Sequence, residues 1–167
     1  KNRVAPGGRD VAASLLNLGA VAMAQGDLAR AQNYMQQATD IYARLGVRDL
    51  DMASGLANLG AVAWIRGDLV TAESLFLEAQ KIREELAPDS LEVSAGLNNL
   101  GLVAKDRGDL QTARSMFEKS FAIDFRLAPD SLTLSETLSN LADMAAMTGD
   151  RESAKASYLK ALAIQEK

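Results

Sequence analysis

The chain repeats itself every 41 residues, and this internal repeat limits the choice of folds more than any other feature. The motif Asn-Leu-Gly, which becomes Asn-Leu-Ala in its last copy, starts at Asn17, Asn58, Asn99 and Asn140. A Gly-Asp pair keeps the same spacing and starts at Gly26, Gly67, Gly108 and Gly149. Four copies in strict register indicate a repeat protein, in which each repeat packs against its neighbours.

Each repeat has the pattern of two helices joined by a tight turn. Leu15, Leu18 and Ala22 share one face of the first predicted helix, and apolar residues from Leu28 to Leu45 keep steps of three and four in the second. Glycine ends one helix and aspartate caps the next. The connector Leu-Ala-Pro-Asp-Ser-Leu stops a helix at proline and opens another at Asp or Ser. The sequence therefore predicts an all-α protein of four antiparallel helix pairs.

Glycines inside the first helices need a separate explanation. Glycine in a helix interior costs about 1 kcal/mol relative to alanine, yet Gly19, Gly60 and Gly101 occupy such positions. We expect paired helices to approach closely there, so that a larger side chain would clash. The second helices are expected to contribute small residues to the same contact, namely Ala31, Ala72, Ala113 and Ala154.

The small residue within the first helix and the alanines early and late in the second resemble the tetratricopeptide repeat. The long period and the words NLG, GDL and LAPDSL are most similar to two branches of that family. One is the repeat of kinesin light chains, which carry cargo peptides, and the other lies beside caspase-like CHAT protease domains in bacteria. The resemblance covers Asp10 to Lys167 and implies an α-solenoid with a right-handed superhelix, whose concave groove is lined by the first helix of each repeat.

The repeat boundaries follow from the spacing. We expect one continuous array, cut from a longer protein, in which residues 1–9 are the tail of a preceding repeat and the four repeats are 10–48, 49–89, 90–130 and 131–167. Repeat ends without a polar cap expose a stacking face, so end-to-end self-association is a further hypothesis.

The repeated asparagines are the main candidates for binding. In the resembled family the matching position faces the groove, where an amide can donate to and accept from the backbone of an extended peptide. The alternative is that these amides bond the neighbouring repeat and hold the stack together, and both interpretations stay open. Trp64 is either a binding anchor or an interhelical packing residue. The candidate groove residues are Asn17, Asn58, Asn99, Asn140, Asn98, Met23, Trp64, Ile65, Leu102, Lys105 and Asp106.

Composition excludes several function classes. The chain has no cysteine and no histidine, which removes disulfides and the commonest metal ligands and general base. A formal charge of −4 disfavours nucleic acid, and no apolar run approaches the ~20 residues that cross a bilayer. No phosphate loop or nucleophile motif is present. We therefore expect no enzyme activity, no cofactor or metal, no nucleic-acid or membrane partner, and a cytoplasmic location.

Two Arg-Gly-Asp tripeptides, at Arg66 and Arg107, spell the integrin-binding word. The turn chemistry explains them without an integrin, because an arginine ends a helix, glycine turns and aspartate caps the next helix. The leading hypothesis is a non-catalytic scaffold that binds a protein or peptide. The alternatives are a structural or regulatory arm of a larger protein, such as a CHAT-type protease, and self-assembly through the repeat ends.

Overall fold

The computed structural model describes residues 8–166, which form eight α-helices and no strand. The chain divides into two compact units, Lys1–Leu86 and Ala87–Lys167. Unit 1 contains α1 (Gly8–Ala24), α2 (Leu28–Leu45), α3 (Leu50–Ile65) and α4 (Leu69–Leu86), and unit 2 contains α5 (Leu91–Asp106), α6 (Leu110–Leu127), α7 (Leu132–Met147) and α8 (Arg151–Gln165). The prediction of an all-α chain is confirmed. The predicted tail at residues 1–9 lies outside the described residues, except for Gly8 and Arg9 at the start of α1.

The turns inside each helix pair have the chemistry that the Gly-Asp words predict. The four turn glycines adopt left-handed backbone angles, with φ between 77° and 85° at Gly26, Gly67, Gly108 and Gly149. The following aspartates accept a hydrogen bond from the backbone three residues on, at Arg30, Thr71, Thr112 and Ser153. Both Arg-Gly-Asp words thus lie in helix–helix turns, each with its aspartate in a capping role.

The connectors between pairs are capped by serine or aspartate. Asp49 accepts from Met52, and Ser90 and Ser131 accept from Val93 and Leu134. The pKa values of the turn aspartates Asp68, Asp109 and Asp150 are lowered by the corresponding hydrogen bonds from Thr71, Thr112 and Ser153. These caps satisfy backbone N–H groups that a helix leaves without an internal partner.

The core of unit 1 forms where α1 packs on α2, α2 on α3, and α3 on α4. Small residues allow these helices to lie close together, since Ala31, Ala38 and Ala72 are completely buried. Met35 and Tyr42 of α2 fill the remaining space and are also completely buried. Burial of one apolar stripe per helix supplies the main stabilisation of such a stack.

The mid-helix glycines make room for a large side chain of the partner helix. A Cβ atom built on Gly60 would lie 2.8 Å from the ring of Phe76, and one built on Gly19 would lie 2.7 Å from Met35 Cγ. In unit 2, a Cβ on Gly101 would lie 2.6 Å from Phe117 Cε1. The expected close approach is present, but its nearest atoms come from these side chains.

The last helix pair departs from this pattern. Ala142 occupies the glycine position and Tyr158 the position of Phe117, one period later. Ala142 is completely buried, whereas 42% of Tyr158 is exposed. In the preceding pair, a Cβ atom at the equivalent position, Gly101, would lie 2.6 Å from the ring of Phe117, so a methyl group at position 142 disfavours the same placement of a ring. Tyr158 is accordingly found at the surface, and α7 and α8 pack through Leu138, Ala161 and Ile164.

Candidate functional site

The candidate residues of unit 1 lie on neighbouring first helices that pack on one another, α1 and α3. We call the set the first-helix face of unit 1; its members are Asn17, Ala20 and Met23 of α1 and Asn58, Ala61, Trp64 and Ile65 of α3. Within each helix the members recur at helical spacing and share one side. Asn17 and Ile65 are exposed, and Asn58 and Trp64 are half-buried.

Apolar groups dominate this face beside its two amides. Met23 is half-buried against the core cluster of unit 1, and 52% of Ile65 is accessible to solvent. Trp64 exposes part of its indole, so the structure is compatible with either interpretation of this residue, as an anchor or as a packing residue. The arrangement offers apolar contact area flanked by hydrogen-bonding amides.

The candidate residues of unit 2 form a polar surface. The first-helix face of unit 2 consists of Asn98, Asn99, Leu102, Lys105 and Asp106 of α5 together with Asn140 and Asp143 of α7. Two bridges join its helices: Asn140 Nδ2 donates to Asn98 Oδ1 at 2.9 Å, and Lys105 Nζ lies 3.5 Å from Asp143 Oδ2. Leu102 is half-buried on α5 between these two bridges.

The four repeated asparagines therefore differ in their hydrogen bonding. Of these four, Asn140 is the one whose side-chain amide forms a hydrogen bond with another side chain among residues 8–166. Its acceptor belongs to the adjacent helix pair, as the stack-holding alternative requires, but the acceptor is a side chain and not a backbone carbonyl. Asn17, Asn58 and Asn99 show no side-chain hydrogen bond within the described part of the chain; Asn17 is exposed, and Asn58 and Asn99 are half-buried.

Asp143 is fixed by a second partner. The hydroxyl of Tyr158 donates to Asp143 Oδ1, while the other carboxylate oxygen faces Lys105. This hydrogen bond raises the pKa of Tyr158, with smaller contributions from burial and from the charge of Asp143. The surface position of Tyr158 thus follows from Ala142, and it places a phenol beside the candidate face.

A second surface feature recurs in both units. A crevice of about 210 Å³ in unit 1 has Gln32 of α2 and Arg66 at the end of α3 on its walls, and Arg66 donates to Gln32. The equivalent crevice of unit 2, of about 200 Å³, has Arg114 and Glu118 of α6 at 2.8 Å and Thr148 after α7. One arginine thus lies in each crevice, but it comes from different elements.

Sequence reasoning missed the buried polar groups of unit 2. Ser94 and Ser120 hydroxyls lie 2.8 Å apart, and Thr137 Oγ1 donates to Asp124 Oδ2 at 3.0 Å. All four side chains are completely buried. In unit 1 alanines stand at the serine positions, and Tyr42 stands where unit 2 has Asp124. Comparing the repeats position by position, rather than by their shared words, would have revealed this exchange.

The comparison with protein families decides the classification. The family description "Tetratricopeptide repeat" matches three overlapping stretches, residues 10–85, 51–125 and 92–167. The chain belongs to the tetratricopeptide-repeat family. Tetratricopeptide repeats are generally non-catalytic scaffolds and typically mediate protein–protein interaction. No curated protein matches this chain.

Solved tetratricopeptide-type structures share its fold. BtubC (BKLC) from P. vanneervenii matches with a TM-score of 0.84 at 24% identity, over 93% of this chain and 63% of that one. A putative kinesin light chain from Podospora anserina, with nearly identical TPR-like repeats, matches with a TM-score of 0.71 at 20% identity, over 92% of this chain and 74% of that one. The predicted likeness to kinesin light chain repeats is confirmed at the level of fold.

A third similar structure is a Rap protein complexed with Competence and Sporulation Factor. Its TM-score is 0.84 at 17% identity, and the match covers 95% of this tetratricopeptide-repeat chain and 44% of the Rap chain. This chain thus spans less than two thirds of the length of BtubC and of the Rap protein. Among residues 8–166, no helix is long and apolar enough to cross a membrane, and no group of three carboxylates is placed to hold a metal ion.

Proposed function

We propose that this chain is a non-catalytic scaffold that binds an extended polypeptide segment through its first-helix faces. The observation that carries the proposal is that the side chains of Asn17, Asn58 and Asn99 lie on these faces without a hydrogen bond to the described residues. An amide has both a donor and an acceptor, so one amide per repeat can bond a peptide backbone with little demand on its sequence. The Rap structure, solved with its factor bound, supports the proposal by likeness of fold.

Apolar contact is the second contribution to binding. In unit 1, Met23, Trp64 and Ile65 flank the amides, and tryptophan is enriched among the residues that dominate binding energy. A peptide that covers Ile65 would remove from water a side chain that is half exposed in the free protein. We therefore expect ligands of unit 1 to combine an extended backbone with apolar side chains.

The proposal is tested with a displayed library of random dodecapeptides. Peptides that the immobilised chain enriches would be synthesised, and their Kd measured by fluorescence polarisation. Asn17→Ala/Asn58→Ala should weaken binding of peptides held by unit 1 by about tenfold or more, since each lost hydrogen bond costs about 1 kcal/mol. The matched control is Asn33→Ala/Gln37→Ala, which removes two exposed amides from α2, and it should leave Kd unchanged.

The helicity of every variant is measured first by circular dichroism, and the outcomes then separate the alternatives. A selection that enriches no peptide would refute the scaffold proposal. Enriched peptides that bind equally to the double asparagine variant would place binding on another surface. Loss of helicity in that variant alone would show that Asn17 and Asn58 hold the stack together, which is the structural alternative.

Self-association is a second candidate that the exposed surface favours. Leu18 and Val21 of α1 are 48% and 54% exposed, whereas their counterparts one period later, Leu59 and Val62, are buried. On α8, Leu159 and Leu162 are also exposed. We infer that α8 of one copy can pack on α1 of another, and a molar mass in light scattering that rises with concentration is the expected result. A constant monomer mass would eliminate this candidate.

A further inference from the structure

The two bridges on the first-helix face of unit 2 leave a defined set of hydrogen-bonding groups. Because Asn140 Nδ2 donates to Asn98 Oδ1, the amide nitrogen of Asn98 and the carbonyl oxygen of Asn140 take no part in this bond, and they remain a donor and an acceptor on two bonded side chains. A primary carboxamide offers the matching acceptor and donor. The asparagine pair is therefore complementary to a neutral amide, either a peptide group or an asparagine or glutamine side chain.

Next to the asparagine pair, the positive charge of Lys105 is already balanced by Asp143. Lys105 is the basic residue of this face, and its half-buried side chain places the ammonium 3.5 Å from Asp143 Oδ2. Tyr158 donates to the other oxygen of Asp143 and holds the carboxylate in place. A carboxylate of a ligand that approached Lys105 would lie close to Asp143, and two like charges beside one cation repel each other.

We propose that the first-helix face of unit 2 selects peptide segments with neutral hydrogen-bonding side chains, carboxamides first, and that Asp143 sets this selectivity by holding Lys105. This inference rests on the proposed function, since it assigns a ligand class to one of the proposed binding faces. Asp143 acts through Lys105 and is a positioning residue. Tyr158 supports it, and Tyr158 reaches Asp143 because Ala142 excludes the ring from the core.

The same random dodecapeptide library tests the inference when it is selected in parallel on the wild-type chain and on Asp143→Asn. The asparagine keeps the size of the side chain but removes its charge, so Lys105 becomes available to an acidic ligand. We expect asparagine, glutamine, serine and threonine to be enriched on the wild type. On Asp143→Asn, we expect aspartate and glutamate to be enriched about threefold over their frequency on the wild type.

Two variants locate the effect at Lys105. Adding Lys105→Met to Asp143→Asn should abolish the gain in acidic residues. Asp40→Asn makes the same change of net charge on exposed Asp40 of α2 and should select like the wild type. Asp143→Ser provides a second neutral variant if Asp143→Asn loses helicity.

Each outcome bears on one proposal. Enrichment of acidic peptides by the wild type, or unchanged selection by both Asp143 variants, would overturn the selectivity assigned to Asp143 while leaving the scaffold proposal intact. A shift toward acidic peptides that persists with Lys105→Met would also overturn it, because the freed cation would then not be the cause. Failure of every protein to enrich any peptide would instead count against the scaffold proposal itself.

Discussion

Replacing Gly101 by alanine should destabilise the protein, although the same change in an open helix would stabilise it. Alanine is favoured over glycine in a helix interior by about 1 kcal/mol. The new methyl carbon, however, would lie 2.6 Å and 2.8 Å from two ring carbons of Phe117, and that ring is completely buried. Overpacking of a full core costs about 1–3 kcal/mol. Because the clash is with a completely buried ring, we expect the overpacking cost to lie in the upper part of this range, about 2–3 kcal/mol, and the net loss to be about 1–2 kcal/mol.

The assay is urea denaturation followed by helical circular dichroism, with the free energy of unfolding taken from the midpoint and slope. Shortening the ring with Phe117→Leu should remove most of the clash, so Gly101→Ala/Phe117→Leu should lose clearly less than the sum of the two single losses. Ala142→Gly is the matched control, because 42% of Tyr158, the counterpart of Phe117, is exposed. It should cost about 1–2 kcal/mol, from helix propensity and from the lost burial of the methyl group of Ala142. Equal or greater stability of Gly101→Ala, or strictly additive losses in the double variant, would refute the steric argument.

Two further predictions concern unit 2. Thr137→Val keeps the shape of the side chain but removes the hydroxyl that Asp124 accepts from in a fully buried site, so it should lower the free energy of unfolding by about 2 kcal/mol. Thr39→Val, where the lost hydroxyl bonds only carbonyls of its own helix, should cost much less, and similar losses in urea denaturation would contradict the role given to Asp124. The pKa of Tyr158 is raised by its hydrogen bond to Asp143, so the phenol stabilises the fold below its ordinary pKa near 10 and loses this contribution as the pH rises through the higher folded value. In an ultraviolet titration, taken as the difference between the wild type and Tyr158→Phe, the phenolate should appear above pH 10, and an unchanged midpoint in Asp143→Asn would show that the hydrogen bond is not the cause.

The sequence predicted the features that depend on local chemistry and on the period. Gly26 and Asp27 are an example, since a left-handed glycine and a capping aspartate follow from neighbouring residues alone. The 41-residue spacing also placed Asn17 and Asn58 on adjacent first helices, because equivalent residues of stacked repeats recur on the same side. These predictions needed no knowledge of side-chain conformations.

Contacts between side chains of different helices could not be predicted in the same way. The bond from Asn140 to Asn98 joins positions offset by one residue in the repeat, and the position of Tyr158 depends on whether a methyl group occupies position 142. Even identical motifs differ in their backbone conformation. Both connectors have the sequence LAPDSL, yet Asp89 of the first has φ 57°. No other non-glycine residue among 8–166 has a positive φ. Because the six residues are identical, such differences cannot be predicted from the motif itself.

The side chains that line the two crevices match only when the repeats follow one another in their native order. In unit 1 the second helix supplies Gln32 and the following first helix ends at Arg66, whereas in unit 2 the second helix supplies Arg114 and the following first helix ends before Thr148. If the second helix of repeat 3 were followed by the first helix of repeat 2, Arg114 and Arg66 would meet, and the reverse exchange would leave Gln32 beside Thr148 with no cation. Repeats that share the same 41-residue spacing and the same motifs are therefore not interchangeable modules. Shuffled arrays made from them should carry a defect at each new junction.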